Sequence, residues 1–348
     1  MRYILDMNSK KEKINYRDIS IVVQGAIAGL PNDKEKDRHT YLCLKSIRKI
    51  LPGAKIILST WEKDNVEGLD CDLLVRSQDP GNANFDNLSP FNCFRQIVSS
   101  INGLKKCTTK YAAKVRSDLI FKNDNFLKYF IKFSDLPSDE NYRLLKQRVI
   151  MFPGCNPNRR MKFPFHPSDW FFFGLTEDVQ DIFDIPLIRK NLIKKDADGI
   201  SHEVDSLLRP EQFIWFSLLS KYRKIPFEYA NDVSHGNIVT SEKYFANNAI
   251  LITPRRAGID SLKWPGTVYM RTPALSYAGF YTFTDYKRML NKYAHANLII
   301  VPNPIEEITY FVVYNLRFFL KEKFPKVQRF LNRFNKEDVG RIKIKTSR

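Results

Sequence analysis

Ile19-Ser-Ile-Val-Val-Gln-Gly25 decides the fold: a short β-branched apolar run, interrupted only by Ser20, ends in a glutamine and a glycine. Such a run reads as a buried strand entering a loop, with Gly25 free to let a ligand approach the backbone. The chain then repeats the pattern. A helix from Arg38 to Ile50 has Tyr41, Leu44 and Ile47 on one face, and Pro52-Gly53 stops it. Ala54 to Thr60 and Asp72 to Arg76 read as the next two strands. A polar, turn-rich stretch from Ser77 to Pro90 leads into a helix from Phe91 to about Gly103, and Tyr111 to Phe121 reads as a fourth strand. Strands alternating with amphipathic helices predict an α/β domain with a mostly parallel sheet flanked by helices.

The second half is less regular. A Pro-, Arg- and Asn-rich loop, Pro153 to Pro167, feeds an aromatic strand, Asp169-Trp-Phe-Phe-Phe-Gly174, and Pro210 opens a helix that carries Phe213 to Leu219. Neither internal repeat nor low-complexity linker separates the halves, so 1–150 and 151–304 are expected to form two lobes of one domain, with 305–348 as a basic tail.

The whole chain has 348 residues, 43% hydrophobic and 27% charged, which is globular composition and large enough to fold without disulfide or metal staples. Its net charge of +18 predicts attraction to polyanions, whether nucleic acid, anionic lipid or phosphorylated ligands. Five cysteines with no C-x-x-C pair argue against cysteine-held zinc and fit a reducing cytoplasm. The N-terminal apolar stretch is too short for a signal peptide, and Ile308 to Leu320, broken by Asn315 and Arg317, falls short of the ~20 residues that span a bilayer. Neither a G-x-G-x-x-G nor a P-loop sequence is present, which removes support for nicotinamide redox chemistry and ATP hydrolysis.

Two constellations carry chemistry. On one continuous strand, Lys114, Arg116 and Asp118 would share a face, and Asp118 would stand at the carboxyl end, where α/β sheets bind ligands. The competing reading is a surface strand with a salt bridge. In the preceding helix, Phe94, Ile97, Val98 and Ile101 make a packing face, leaving Asn92, Arg95, Gln96 and Ser99 opposite, donors and acceptors suited to a base, ribose or phosphate. His166, His202 and His235 show no metal-ligand spacing, and the pairs Arg159-Arg160 and Arg255-Arg256 fall in predicted loops.

Together with Val22-Val-Gln-Gly25, Leu58-Ser-Thr-Trp61, Asp79-Pro-Gly81, Asn92-x-x-Arg95-Gln96-Ile97, Lys114-Val-Arg-Ser-Asp118, Asp169-Trp170 with Gly174, and Pro210-Glu-Gln212, the chain resembles the WavE-type lipopolysaccharide-synthesis proteins over about residues 20 to 250. The resemblance implies a GT-A-like fold with a Rossmann-type nucleotide-binding sheet, a donor-binding half in 1–150 and an acceptor-side half in 151–304. It implies a glycosyltransferase that moves a sugar from a nucleotide-activated donor to a growing lipopolysaccharide or capsular glycan. Donor binding then falls to Gln24, Gly25, Asp79, Asn92, Arg95, Gln96, Lys114, Arg116 and Asp118. Arg116-Ser117-Asp118 resembles the D-x-D position, with Asp118 as the metal residue for Mn2+ or Mg2+. Arg116 in place of the first Asp leaves a metal-independent mechanism open, because an arginine can neutralise a leaving phosphate. Glu211 and Asp169 are the candidate catalytic bases; their competing readings are a helix N-terminal acid favoured by the dipole and a strand-entry cap.

After Pro325, Val327, Phe330, Leu331 and Phe334 form an apolar stripe opposite Lys326, Arg329, Arg333 and Lys336, the composition of an interfacial helix. Residues 317–348 hold eleven Lys and Arg against three acidic residues. The expected partners are therefore a nucleotide-sugar, a glycan or lipid-linked glycan acceptor, and an anionic membrane surface, with the protein cytoplasmic and peripheral to the inner membrane. Alternatives are a nucleic-acid-binding protein or nuclease using the basic surface, or a non-catalytic scaffold of an envelope assembly complex. A nuclease would want clustered carboxylates with a nearby lysine on one strand, which the sequence lacks.

Overall fold

In the computed structural model, the described residues are 13–34, 37–81, 92–158, 162–187, 208–263 and 279–302, with positions 304, 319 and 323. The expected interfacial helix after Pro325, Arg159-Arg160 and His202 lie outside them.

Among the described residues seven strands form one sheet. In chain order they are β1 (Ile19–Gln24), β2 (Lys55–Trp61), β3 (Leu73–Ser77), β4 (Tyr111–Arg116), β6 (Val149–Met151), β7 (Phe171–Leu175) and β8 (Ala249–Leu251). Their spatial order is β3-β2-β1-β4-β7-β6-β8. β1 to β4 run parallel, β7 runs antiparallel to β4 and β6, and β8 runs parallel to β6. The protein is thus mixed α/β with a mostly parallel sheet. One reversed strand lets the start of β7 sit beside the end of β4. Because both faces are covered, the central strands read as near-continuous apolar runs. Ile19, Ile21, Val22, Val23, Ile56, Ile57 and Leu58 are all fully buried.

Between the strands run α1 (His39–Ile50), α2 (Cys93–Leu104), α3 (Asn125–Phe133), α4 (Thr176–Phe183), α5 (Pro210–Tyr222), α6 (Asn237–Asn248), α7 (Pro254–Ala257) and α8 (Phe283–Tyr293). The register places Val22 beside Lys114, Gln24 beside Arg116, and Lys114 beside Phe172, so these side chains share one sheet face. α2 and α4 cover that face: Gly103 lies on Val22 and Ser59, and Phe183 stacks edge-on against Phe172. α3 covers the other through Phe126 and Phe130, which pack on Phe171 and Phe173.

Two expectations change at this level. The fourth strand does not continue to Phe121. It ends at Arg116, turns at Ser117-Asp118, and resumes as β5 (Leu119–Phe121), which pairs antiparallel with β9 (Ile259–Ser261) in a separate two-stranded sheet. Asp118 therefore sits on the turn, not on the strand face of Lys114 and Arg116. α2 also differs: Ser99, Ser100 and Gly103 are fully buried, while Val98 and Ile101 are half-buried. The helix lies so close to the sheet that only small residues fit beneath it, and Ser99 points inward with them.

Candidate functional site

The site is assembled where β1 and β4 end and β7 begins, from five pieces of chain. From β1 comes Gln24, 5% exposed, whose Oε1 accepts a 2.6 Å hydrogen bond from Ser99 Oγ on α2. Its amide nitrogen has no partner among the described residues, so Gln24 keeps a donor to offer. Gly25 follows with φ 111, a backbone shape that L side chains rarely adopt. Its N–H donates to the Ser59 carbonyl, and Ser117 Oγ donates to the Ala26 carbonyl, which ties this loop to the turn after β4.

From β4 come Lys114 and Arg116. Lys114 is fully buried; its ammonium donates to the Asp169 backbone carbonyl and lies 5.7 and 5.4 Å from the ring centroids of Phe172 and Phe183. Burial pulls it down from 10.5 to about 7, against the opposing pull of Asp169. That carbonyl and the two ring faces take up the ammonium, so it is not left to hold a ligand. Lys114 instead acts on Asp169, and Gln96 Nε2 donates to the same carbonyl at 3.0 Å. Two donors from two elements thus fix the peptide that carries the Asp169 carboxylate.

Arg116 forms a fork with Asp118, Nε to Oδ1 at 3.1 Å and Nη2 to Oδ2 at 2.8 Å, and its guanidinium lies 5.5 Å over the Trp170 ring. Burial alone would lower it, but Asp169 and Asp118 hold it above its ordinary value. Its Nη1 has no partner among the described residues. An always-charged planar donor, stacked on an indole and braced on one side, has its remaining N–H groups aimed in a fixed direction.

The fourth piece is the loop after β6. Phe165, fully buried, takes a left-handed backbone (φ 55), held by the bond from its N–H to Ser241 Oγ at 2.7 Å and by the rings of Phe216 and Phe227. Such a conformation costs of order 1–3 kcal/mol and persists where surrounding packing imposes it. It delivers His166, whose Nε2 lies 3.9 Å from Glu211 Oε2 and whose Nδ1 is buried without a partner among the described residues. Burial lowers His166 to about 4, so near neutrality the imidazole is uncharged and the contact is not an ion pair. Asp169 follows, partly exposed, its carboxylate accepting no hydrogen bond among the described residues.

The fifth piece is the start of α5. Glu211 occupies its first turn, braced by Gln212, whose side chain accepts from the Arg209 N–H and donates to the carbonyls of Pro164 and Ala230. Burial and the nearby Asp169 charge push the Glu211 carboxyl well above the usual range, against the pull of Arg116 and Arg209. Cys93, at the start of α2, donates its S–H to the Pro210 carbonyl; burial, with Asp169 and Glu211 nearby, pushes its thiol well up. That keeps it a thiol.

Asp79, Asn92 and Arg95 form a second group at the N-terminus of α2. Arg95 clasps Asp79 through two bonds of 2.7 and 2.6 Å, and its Nη1 lies 3.4 Å from Asn92 Oδ1. The pair is about one-third exposed. Sequence reasoning did not foresee the indole platform under Arg116 or the neutral His166 against Glu211. Trp170 beside Asp169 was visible as a motif, but its stacking follows from the antiparallel pairing of β7 with β4, which no local pattern announces.

The donor set does not fit a divalent cation at Asp118. Both of its oxygens are taken by Arg116, and among the described residues no three His, Cys, Asp or Glu side chains gather to share a metal.

The protein is thus of the mixed α/β class with a mostly parallel sheet, and it gathers arginine, carboxylate and amide side chains at the carboxyl ends of its strands, where such sheets bind ligands. Residues 19–297 match the family described as WavE lipopolysaccharide synthesis, and the chain belongs to that family. Membership places it in lipopolysaccharide synthesis. No curated protein matches the sequence. Among solved structures, a cytidylyltransferase from Leptospira borgpetersenii aligns at 7% identity over 49% of this chain and 66% of its own, with TM-score 0.29. 4-Diphosphocytidyl-2C-methyl-D-erythritol synthase from Anaerococcus prevotii aligns at 10% identity over 65% of this chain and 97% of its own, with TM-score 0.30. At such scores the likeness carries no argument about activity.

Proposed function

We propose that the protein is a glycosyltransferase that moves a sugar from a nucleotide-activated donor to a growing lipopolysaccharide or capsular glycan at the cytoplasmic membrane face. One observation carries this: Arg116, with an uncommitted Nη1, converges with two partly exposed carboxylates, Asp169 and Glu211, at the carboxyl end of the sheet. A guanidinium suits the diphosphate that leaves, and a carboxylate with a raised pKa suits the acceptor hydroxyl. In this scheme the acceptor oxygen bonds to the anomeric carbon as the bond to the donor phosphate breaks. The electron pair departs with the nucleoside diphosphate beside Arg116, and the hydroxyl proton passes to Glu211, the better-placed base because its first-turn position is rigid. Gln24 and the Gly25 backbone bind the donor, with Asp79, Asn92 and Arg95 on its nucleoside side, while Lys114 and Gln96 keep Asp169 in place. Arg116 supplies the charge a cation would otherwise bring, so Mn2+ and Mg2+ are dispensable.

The test is thermal shift and turnover with UDP-, GDP- and CMP-sugars, with and without EDTA. One nucleotide class raises Tm and supports transfer that EDTA leaves intact. Absence of any shift overturns the donor assignment, and transfer that EDTA abolishes overturns the role given to Arg116.

A further inference from the structure

Arg148 has 1% of its surface exposed and makes no ion pair among the described residues. Its Nε donates to the Ala246 carbonyl at 2.8 Å, Nη1 to Leu136 at 2.6 Å and Nη2 to Pro137 at 2.5 Å. Those three bonds satisfy the geometry of the fork, burial outweighs the pull of Asp135 on its charge, and one N–H on each Nη stays uncommitted among the described residues. A buried cation that lacks an ion pair is costly. It borders a cavity of ≈ 290 Å³, lined also by Arg143, Lys146, Gln147, Ser134 and Asp135.

Two further features suit a ligand. Asp135, the one acid of the lining among the described residues, accepts from Gln147 Nε2 at 2.6 Å. That bond leaves Gln147 Oε1 buried with no hydrogen-bond partner among the described residues, an acceptor awaiting a donor. Arg143 pairs with Glu140 at 3.1 Å and Lys146 with Glu177, which leaves Arg148 as the lining cation that has no ion pair among the described residues, and the orphan oxygen asks for a hydroxyl. The volume of ≈ 290 Å³ falls just under the ~300–1,000 Å³ typical of small-molecule sites, which suits a small ligand. Arg148 stands immediately before β6, which runs parallel to β4, so this cavity lies at the end of the sheet opposite Arg116.

We propose that this cavity binds a small phosphorylated polyol or sugar, its phosphate on Arg148, Arg143 and Lys146 and a hydroxyl on Gln147 Oε1, at a site separate from the one at the carboxyl ends of the strands. Calorimetry on the full chain tests it, with glucose 6-phosphate, inorganic phosphate and glucose as probes. Glucose 6-phosphate binds one to one, inorganic phosphate binds at least about tenfold more weakly, and glucose does not bind. Arg148→Gln strips donors from three carbonyls and risks the fold. Gln147→Met and Lys146→Glu therefore carry the argument: each weakens glucose 6-phosphate about tenfold while Tm stays native, whereas Arg116→Gln leaves its affinity unchanged. The proposal is overturned if the wild type fails to bind glucose 6-phosphate, if inorganic phosphate binds equally well, or if Arg116→Gln abolishes binding that the other two variants retain.

Discussion

Lys114 carries a charge into the middle of a sheet. The fold tolerates it because the ammonium meets the Asp169 carbonyl and the faces of two phenylalanines, and because burial lets it shed its proton near pH 7. The sign of the linkage follows. Between about 7 and 10.5 the unfolded chain holds a proton that the folded one lacks, so wild-type stability climbs with pH across that window, and the penalty is complete below it. Lys114→Met removes the titrating group. Its Tm relative to wild type is highest near pH 6 and declines toward pH 10; a difference that stays flat would show that the lysine does not titrate there. Glu211 gives a kinetic counterpart. A base must be ionised, so kcat/KM falls as pH drops through a midpoint displaced above the usual ~4.3. Glu211→Gln lowers kcat about 10²–10⁴-fold and removes that limb; a limb that survives the substitution assigns the proton to Asp169. The side-chain alternation of β4 was readable from the sequence and places Lys114 on the face of Arg116. What no strand pattern conveys is that α2 and α4 seal that face, turning a residue expected to touch the donor into one that holds Asp169.

At the scale of elements, the spacing of α2 is governed by its smallest residue. A Cβ on Gly103 would fall 2.9 Å from Ser59 Cβ and closer still to Val22 Cγ1, and none of these atoms belongs to a flexible side chain. Gly103→Val therefore pushes α2 off the sheet, at about 1–3 kcal/mol of stability. Gln96, Ser99 and Arg95 ride on the same helix, so the shift also breaks the Ser99–Gln24 bond and the Gln96 hold on Asp169. Denaturant unfolding should show the loss, and the apparent KM for the donor should rise with it; native stability at unchanged KM would mean that the helix has room to spare. The strands, helices and their alternation were legible because buried parallel strands are apolar throughout and helix stops are marked, as at Pro52-Gly53. The break between β4 and β5 was not, since Leu119-Ile120-Phe121 prolongs the apolar run and only pairing with β9 redirects it. The same holds for Ser99: a serine that faces solvent and one that faces a glutamine across a tight helix–sheet contact look alike in sequence.

For the whole molecule the question is what its +18 charge is directed toward. No helix among the described residues is long and apolar enough to cross a membrane. The strongest local bias is the tail, whose eleven cations face three acids across residues 317–348. The stripe of Val327, Phe330, Leu331 and Phe334, opposed to Lys326, Arg329, Arg333 and Lys336, would place apolar atoms in an interface and its cations among anionic headgroups, each worth about 1 kcal/mol there. A transferase acting on a lipid-linked glycan would gain from this arrangement because attachment restricts the search for acceptor to two dimensions, with chemistry left to the sheet edge. The two functions should therefore separate. Removing residues 324–348 releases the protein from vesicles of phosphatidylglycerol and phosphatidylcholine, while turnover on a water-soluble acceptor is retained. The full chain loses vesicle binding as salt rises, since the electrostatic share is screened over a Debye length of about 10 Å at 0.1 M. Vesicle binding that survives the truncation would mean that the tail packs on the protein body and that the body itself supplies the membrane surface.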